Sequence, residues 1–176
     1  MSDTSLENPR EPRAERPDVP PEYRPQAGAG SLLPWPHARE RLELARNYWM
    51  STVSPDARPH ATPIWGVWLD DRFYFDGSPE TRRGRNISAN SNVVVHLESG
   101  DDVVIVHGTA RQLVSPPRPL TERVAAGYRE KYAASGYSPA PEQWDGGGLY
   151  EMQPRLALAW TKFPDNMTRW RFAAAD

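Results

Sequence analysis

The chain has 176 residues, 38% of them hydrophobic, and a formal net charge of −2. This length fits one domain, and the near-neutral charge argues against a surface that binds nucleic acid. Because the chain contains no cysteine, it cannot use disulfide bonds, thiolate metal sites or a cysteine nucleophile.

The first 30 residues are predicted to form a flexible, proline-rich arm, mobile or wrapped along a domain of residues 31–176. Prolines recur there among charged residues, so the segment buries too little apolar surface to offset the entropy lost on ordering. We expect the arm to be dispensable for ligand binding. It lacks the apolar core of a secretory signal, and no run is long enough to span a bilayer, so we expect a cytoplasmic protein without membrane contact.

The first half of the domain is predicted to contain one short helix and several strands. Residues 37–45 have amphipathic spacing, and residues 48–53 have strand character. Val67–Leu69 and Phe73–Phe75 flank a turn of two aspartates, which predicts a hairpin. The strand before this hairpin contains Pro63, which suits an edge or an interruption of the sheet because proline has no N–H to donate.

An arginine-rich helix start follows the hairpin. Ser78 precedes a proline and a glutamate, which is a favourable pattern for a helix N-terminus. Arg82, Arg83 and Arg85 then fall in the first turns, where free backbone N–H groups favour an anion. The segment is a candidate phosphate site, although a solvated helix face would carry the same charges.

The second half is predicted to be mainly β. Strands at 93–97 and 103–107 form another hairpin, in which His96 and His107 are diagonal neighbours on one face. These histidines lack further ligands for a metal, so no metal site is expected. The remaining predicted elements are a helix at 120–132, a loop at 135–148, and strands at 149–152, 156–160 and 168–172.

In their order along the chain, these segments resemble the flavin- and deazaflavin-binding split-barrel proteins of the pyridoxamine 5′-phosphate oxidase-like superfamily. The resemblance covers roughly residues 36–172 and is carried by His60–Trp65, Phe73–Gly77, Thr81–Asn86 and Asn92–Ala110. It implies a mainly β fold with small helices, an FMN-binding split β-barrel of Greek-key type that forms a homodimer.

The resemblance also implies a cofactor, either FMN or its deazaflavin counterpart coenzyme F420. Relatives hold the cofactor phosphate against the helix segment that here contains Thr81, Arg82, Arg83 and Asn86. Arg83 is expected to be the main anchor. Thr81 stands where relatives carry another basic residue, so it would contribute only a neutral hydroxyl.

Ring contacts are implied for a second group of residues. The proline-containing strand lies along the ring system in relatives, which assigns Thr62, Pro63 and Trp65, although Trp65 is equally compatible with a core position. By the same resemblance, the C-terminal strand helps to build the site of the other subunit. Arg169 and Trp170 are therefore expected to reach the cofactor of the partner chain.

The expected function is that of an oxidoreductase that passes a hydride between the cofactor and a small organic substrate. The ring would carry the redox chemistry while the chain supplies position and electrostatics. No Gly-x-Ser-x-Gly elbow occurs, and no catalytic side chain is assigned. The alternative is a non-catalytic flavin-binding protein, either a carrier or a sensor.

Overall fold

The computed structural model describes residues 11–25 and 30–173, which contain nine strands and three α-helices. The strands are β1 (Ala14–Glu15), β2 (Tyr48–Val53), β3 (Pro59–Ile64), β4 (Val67–Leu69), β5 (Arg72–Asp76), β6 (Asn92–His96), β7 (Val103–Gln112), β8 (Leu149–Trp160) and β9 (Thr168–Arg171). The helices are α1 (Trp35–Leu44), α2 (Arg82–Ala89) and α3 (Arg118–Tyr132). None of the helices in the described ranges is both long and apolar enough to cross a membrane.

All strand pairs are antiparallel, in the order β1-β9-β8-β7-β6-β2-β3. The β4–β5 hairpin joins this sheet because β5 pairs with the first part of β8. The long strand β8 therefore pairs with β7 on one edge and with β5 and then β9 on the other. This arrangement confirms the predicted mainly β split barrel.

Two clusters of buried side chains support the fold. The larger cluster fills the barrel, where Trp35 packs edge-on against Trp170 with ring centroids 5.4 Å apart. The smaller lies beneath α3, which buries Val124, Tyr128 and Tyr132 against the β4–β5 hairpin. The spacing of these α3 residues places them on one face, as an amphipathic helix requires. Helix α3 thereby covers the hairpin that leads to α2.

Strand β8 is longer than expected. The two strands predicted at 149–152 and 156–160 form one strand that includes Pro154. Proline cannot donate a ladder hydrogen bond, and the register of β7 shifts between His107 and Gly108, directly opposite this proline. The bulge therefore lets one continuous strand pass through a residue that normally ends pairing. On the neighbouring pair, β6 with β7, the predicted diagonal placement of His96 and His107 is confirmed.

Helix α2 begins later than expected. Its N-cap is Thr81, not Ser78, and the Thr81 Oγ1 accepts a hydrogen bond of 3.0 Å from the Gly84 N–H. The same hydroxyl donates to the Ser78 carbonyl at 2.8 Å, so Ser78–Glu80 form a turn that precedes the helix. A threonine cap satisfies one of the free N–H groups of the first turn, which places Arg82 and Arg83 at the first two helical positions.

Part of the N-terminal arm lies on the barrel. Strand β1 pairs with β9, and the Glu15 Oε1 accepts hydrogen bonds from Arg169 Nε at 2.7 Å and from Arg171 Nε at 2.9 Å. Paired backbone and two ion pairs therefore hold residues 14–15 of the predicted arm against the barrel. Residues 1–10 and 26–29 of the predicted arm lie outside the described residues.

Candidate functional site

A cleft of about 530 Å³ opens near the ends of β3 and β5 and the start of α2. Its lining residues come from five parts of the chain and are Asn47, Pro63, Ile64, Trp65, Asp76, Arg83 and Tyr137. The cleft thus combines an apolar wall, an arginine, a carboxylate and a tyrosine. This combination suits a ligand that has both a planar ring and an anionic group.

Arg83 is the positive group of the cleft. Its Nη2 donates to the backbone carbonyl oxygen of Asp76 at 3.2 Å, and its guanidinium carbon lies 5.5 Å from the centroid of the Phe75 ring. The side chain is half-buried and makes no ion pair with any carboxylate of the described residues. Burial lowers the pKa of the guanidinium, and the nearby Asp76 carboxylate opposes part of this shift. Arginine stays protonated in proteins, so a cation that lacks a direct ion-pair partner among the described residues faces the cleft.

Gly77 makes room for this arrangement. A Cβ at this position would lie 2.6 Å from the Arg83 Nη2, and the backbone φ of +156° is one that side-chain-bearing residues rarely adopt. The Gly77 N–H donates to the Gly148 carbonyl at 3.0 Å. Gly77 therefore ties the end of β5 to the residue that precedes β8 and leaves space for the Arg83 guanidinium.

Trp65 forms the apolar wall. Its ring stacks on Tyr132 with centroids 4.7 Å apart and planes 14° apart, and the Arg46 guanidinium lies 5.8 Å from the Trp65 ring. The Tyr132 hydroxyl accepts from the Gly66 N–H at 3.0 Å and lies 2.9 Å from the Gly66 carbonyl oxygen. Helix α3 therefore fixes the segment between β3 and β4, and the half-buried Trp65 keeps part of its surface toward the cleft.

Asp76 forms a polar corner with three side chains of α3 and the loop that follows it. Its Oδ2 accepts from the Tyr137 hydroxyl and, at 3.2 Å, from Gln143 Nε2. The Tyr128 hydroxyl lies 3.4 Å from Oδ1 and accepts from the Asp76 N–H at 3.2 Å. Burial, and then the hydrogen bond to Asp76, raise the pKa of Tyr137 to about 12. Tyr137 is therefore a neutral phenol at physiological pH.

The structure brings three of the predicted site residues together at the cleft. Pro63 and Trp65 line one wall, and Arg83 lies at the other. Thr62 belongs to the same strand, where it pairs with Met50 of β2, but it does not line the cleft. Its hydroxyl is directed to the neighbouring Pro63 carbonyl at 3.3 Å.

The other predicted phosphate ligands have different roles. Thr81 caps α2, and its hydroxyl is already used in hydrogen bonds to the Ser78 carbonyl and from the Gly84 N–H. Asn86 is buried, and its Nδ2 donates to the Thr52 Oγ1 at 3.0 Å, so it ties α2 to β2. Arg82 is exposed and does not line the cleft. Among the four residues assigned to the phosphate, only Arg83 faces this cavity.

The two C-terminal candidates point to opposite faces of β9. Trp170 is a core residue with no exposed surface, so the expectation that it reaches a cofactor is corrected. The physical reason is the alternation of a strand, which turns every second side chain inward. Arg169 is half-buried on the outer face, where it pairs with Glu15. Neither residue lines the cleft of its own chain.

Sequence reasoning missed Asp76, Tyr137 and Gln143. Asp76 could have been found from its position, because it is an acidic residue at the end of an aromatic strand. The other two residues lie in the glycine- and proline-rich segment predicted as a loop, where no periodicity indicates which side chains turn inward. In the part of the chain that the structure describes, no group of three potential metal ligands occurs.

Comparison with known proteins places this chain in a family. Residues 34–160 match the sequence profile of pyridoxamine 5′-phosphate oxidase. The chain belongs to this family. No curated protein sequence matches it significantly. The family assignment supports the split barrel, while the residues of the cleft must be interpreted from this chain itself.

Solved structures with the same fold share little sequence with this family member. A conserved hypothetical protein from Mycobacterium tuberculosis is 20% identical, with a TM-score of 0.63 over 78% of this chain and 89% of the other. A protein named F420 reductase is 21% identical, with a TM-score of 0.51 over 68% and 94%. A heme storage protein from Vibrio cholerae is 18% identical, with a TM-score of 0.53 over 68% and 89%. At these identities the likeness concerns the fold.

Proposed function

We propose that this protein is an oxidoreductase that binds a phosphate-bearing flavin or deazaflavin, FMN or coenzyme F420, in the cleft and passes a hydride between the cofactor and a small organic substrate. The observation that carries the proposal is Arg83, a half-buried guanidinium that faces the cleft without an ion-pair partner among the described residues. A charge taken partly out of water is costly unless an opposite charge compensates it. A phosphate would provide that charge through short, charge-assisted hydrogen bonds.

The remaining walls of the cleft fit a planar ring. Pro63 is exposed on β3, which ends the sheet, so its missing N–H costs no interior ladder bond. Trp65 adds an aromatic surface whose orientation is fixed by stacking on Tyr132. Flat apolar groups beside one cation match a molecule with a fused ring and a phosphate tail. FMN and coenzyme F420 both have this composition, and the family and its F420 reductase neighbour support these two candidates.

The residues of the chain would act by position. When bound, the cofactor ring supplies the hydride chemistry. Arg83 would hold the phosphate, and Pro63 with Trp65 would contact the ring. The phenol of Tyr137 is committed to Asp76, so no proton-transfer role is assigned to it. A carrier or sensor would use the same contacts without turnover, and only a catalytic measurement separates these functions.

We also propose that the protein is a homodimer, formed through the outer face of the sheet. The strand register places a row of partly exposed apolar residues on this face, which includes Trp49, Val94, Ile105, Leu156 and Leu158. Their neighbours along each strand point into the barrel core. An uncovered apolar sheet face of this kind favours association with another surface. Arg169 lies beside Leu158 on the same face, where a partner chain would meet it.

The proposal is tested on protein purified without added cofactor. Its absorption spectrum is recorded, the released ligand is identified by mass spectrometry, and the ligand-free chain is titrated with FMN and with coenzyme F420. We expect a flavin or deazaflavin spectrum and saturable binding of one of the two. A Soret band with released heme, or failure to bind either cofactor, would contradict the proposal. Reduction of the bound cofactor followed by reoxidation with small organic acceptors then separates an enzyme from a carrier.

A further inference from the structure

We propose that Tyr137 is a further ligand-contacting residue of the cleft and that Asp76 positions it there. The inference rests on the proposed flavin site, because both concern the same cleft. Tyr137 adds a lining residue that does not belong to a barrel strand. Tyr137 lines the cleft beside Trp65 and belongs to the segment between α3 and β8.

The segment that carries Tyr137, residues 133–148, is fixed at both ends. Near its start, Gly136 has a φ of +81°, and the Tyr137 N–H donates to the Tyr132 carbonyl at 3.2 Å. Near its end, Trp144 is buried beside Tyr128, and the Gly148 carbonyl accepts from the N–H of Gly77. These contacts at both ends hold Tyr137 at the cleft.

The rings of Tyr137 and Trp65 form an open corner. Their centroids are 6.0 Å apart and their planes meet at 47°, and both side chains are only half-buried. Each ring therefore leaves apolar surface toward the cleft. An aromatic ligand that enters this corner would pack against both rings, and contacts of this kind favour offset or tilted geometry over a face-to-face sandwich.

Asp76 determines where the Tyr137 ring stands. Its carboxylate accepts a hydrogen bond from the phenol hydroxyl, and Gln143 Nε2 donates to the phenol oxygen at 2.7 Å. Two hydrogen bonds thus hold the Tyr137 hydroxyl, so it is not free to bind a ligand. It is the ring face of Tyr137, and not its proton, that is available to a bound molecule. Tyr137 should therefore contact the ring of the cofactor and not its phosphate.

Riboflavin, which has the flavin ring but no phosphate, separates this contact from the Arg83 contact. If the chain binds only coenzyme F420, that cofactor and its phosphate-free analogue 8-hydroxy-5-deazariboflavin replace FMN and riboflavin in this titration and in those below. The full chain and its variants are titrated with riboflavin and with FMN. Tyr137→Ala is expected to weaken both ligands about equally, by roughly tenfold, since it removes an aromatic contact and its buried area. Tyr23→Ala serves as the matched control, because Tyr23 is exposed and lies outside the cleft.

A double-mutant cycle tests the positioning role of Asp76. Asp76→Ala is expected to weaken riboflavin nearly as much as Tyr137→Ala, and the double variant to show little further loss. Tyr137→Phe retains the ring but loses the bond to Asp76. It should increase amide hydrogen exchange across residues 136–148 and weaken riboflavin about as much as Asp76→Ala does, because both variants remove the same hydrogen bond. This variant changes one hydroxyl and keeps the test open if Asp76→Ala does not fold.

The outcomes distinguish the two proposals. If the wild-type chain binds riboflavin and FMN but Tyr137→Ala binds both with unchanged affinity, the inference is overturned and the proposed function stands. A loss confined to FMN would overturn it as well, because the contact would then serve the phosphate. If the wild-type chain binds neither ligand nor coenzyme F420, both proposals fail together.

Discussion

The Arg83 guanidinium donates a hydrogen bond of 3.2 Å to the backbone carbonyl oxygen of Asp76, so a main-chain atom orients the Arg83 side chain in the cleft. The carboxylate of the same aspartate holds Tyr137 instead. One residue at the end of β5 thus orients two walls of the cleft through two different groups. Because a side-chain substitution at Asp76 keeps the carbonyl, the orientation of Arg83 and that of Tyr137 can be altered separately.

Gly77→Ala is expected to move Arg83 without removing it. The new Cβ would lie 2.6 Å from the Arg83 Nη2, and the long side chain can shift where the backbone cannot. We expect weaker FMN binding than in the wild type, but less loss than for Arg83→Ala, with a destabilisation on the order of 1 kcal/mol from the strained backbone. FMN titration and thermal unfolding measure the two effects. Gly100→Ala is the control, since its Cβ would meet nothing within 4 Å.

Thr81→Ala is expected to reduce stability rather than phosphate affinity. The Thr81 hydroxyl caps α2 through the Gly84 N–H at 3.0 Å, and removal of such a cap costs about 1 kcal/mol. Urea denaturation should show this loss, while Thr81→Ser should retain most of the stability. If Thr81→Ala instead kept full stability and lost FMN affinity, Thr81 would be a phosphate ligand after all.

Lys131 gives the stability of the fold a distinct pH dependence. Its Nζ donates to the Ala45 carbonyl at 3.0 Å and to the Tyr48 hydroxyl at 2.7 Å, and burial lowers its pKa to about 8. An unfolded lysine titrates near pH 10.4, so between roughly pH 8 and 10 the unfolded chain binds more protons than the folded one. The free energy of unfolding should therefore rise with pH across this window.

Denaturation by urea at several pH values measures this contribution. Lys131→Met should lack the rise between roughly pH 8 and 10, whereas Lys162→Met, at an exposed position, should retain it. The rise ends near pH 10, because tyrosines of the unfolded chain ionise there. Burial raises the pKa of Tyr48, so this tyrosine stays protonated in the folded chain. Identical pH profiles for the wild type and Lys131→Met would contradict the assignment.

Ile105→Glu is expected to dissociate the proposed homodimer. Ile105 lies on the outer sheet face between His96 and Leu158, with no arginine or lysine directly opposite it, and a carboxylate buried there in a dimer interface would cost several kcal/mol. Light scattering at micromolar concentration should give twice the chain mass of 19.9 kDa for the wild type and the single mass for the variant. Val114→Glu, at a highly exposed position away from this face, is the control. A wild-type protein that is already monomeric would contradict the dimer.

The sequence predicted most strands because their cause is local. Alternation and turn residues define the β6–β7 hairpin, and even the relation of His96 to His107 follows from its register. The strand at Ala14–Glu15 was missed because its stability comes from β9, more than 150 residues away, and from the ion pairs of Glu15. Nothing in the composition of a proline-rich segment indicates such a partner.

The cleft was predictable only in part, for a similar reason. Pro63, Trp65 and Arg83 lie in segments that resemble the family, and the structure places them around one cavity. Tyr137 comes from an irregular loop, and only the tertiary contact with Asp76 decides that its ring faces the cleft. Motifs along one strand or helix start are visible in a sequence, whereas contacts between distant loops are not.

The affinity ratio of FMN to riboflavin, measured in the wild type and in Arg83→Ala, tests the central claim most directly. A charge-assisted hydrogen bond to phosphate contributes roughly 1.5–3 kcal/mol, so the wild type should bind FMN at least about tenfold more tightly than riboflavin. Arg83→Ala should abolish this preference with riboflavin affinity unchanged, and Arg82→Ala, which alters an exposed arginine, should keep it. An FMN preference that persists in Arg83→Ala would contradict the account.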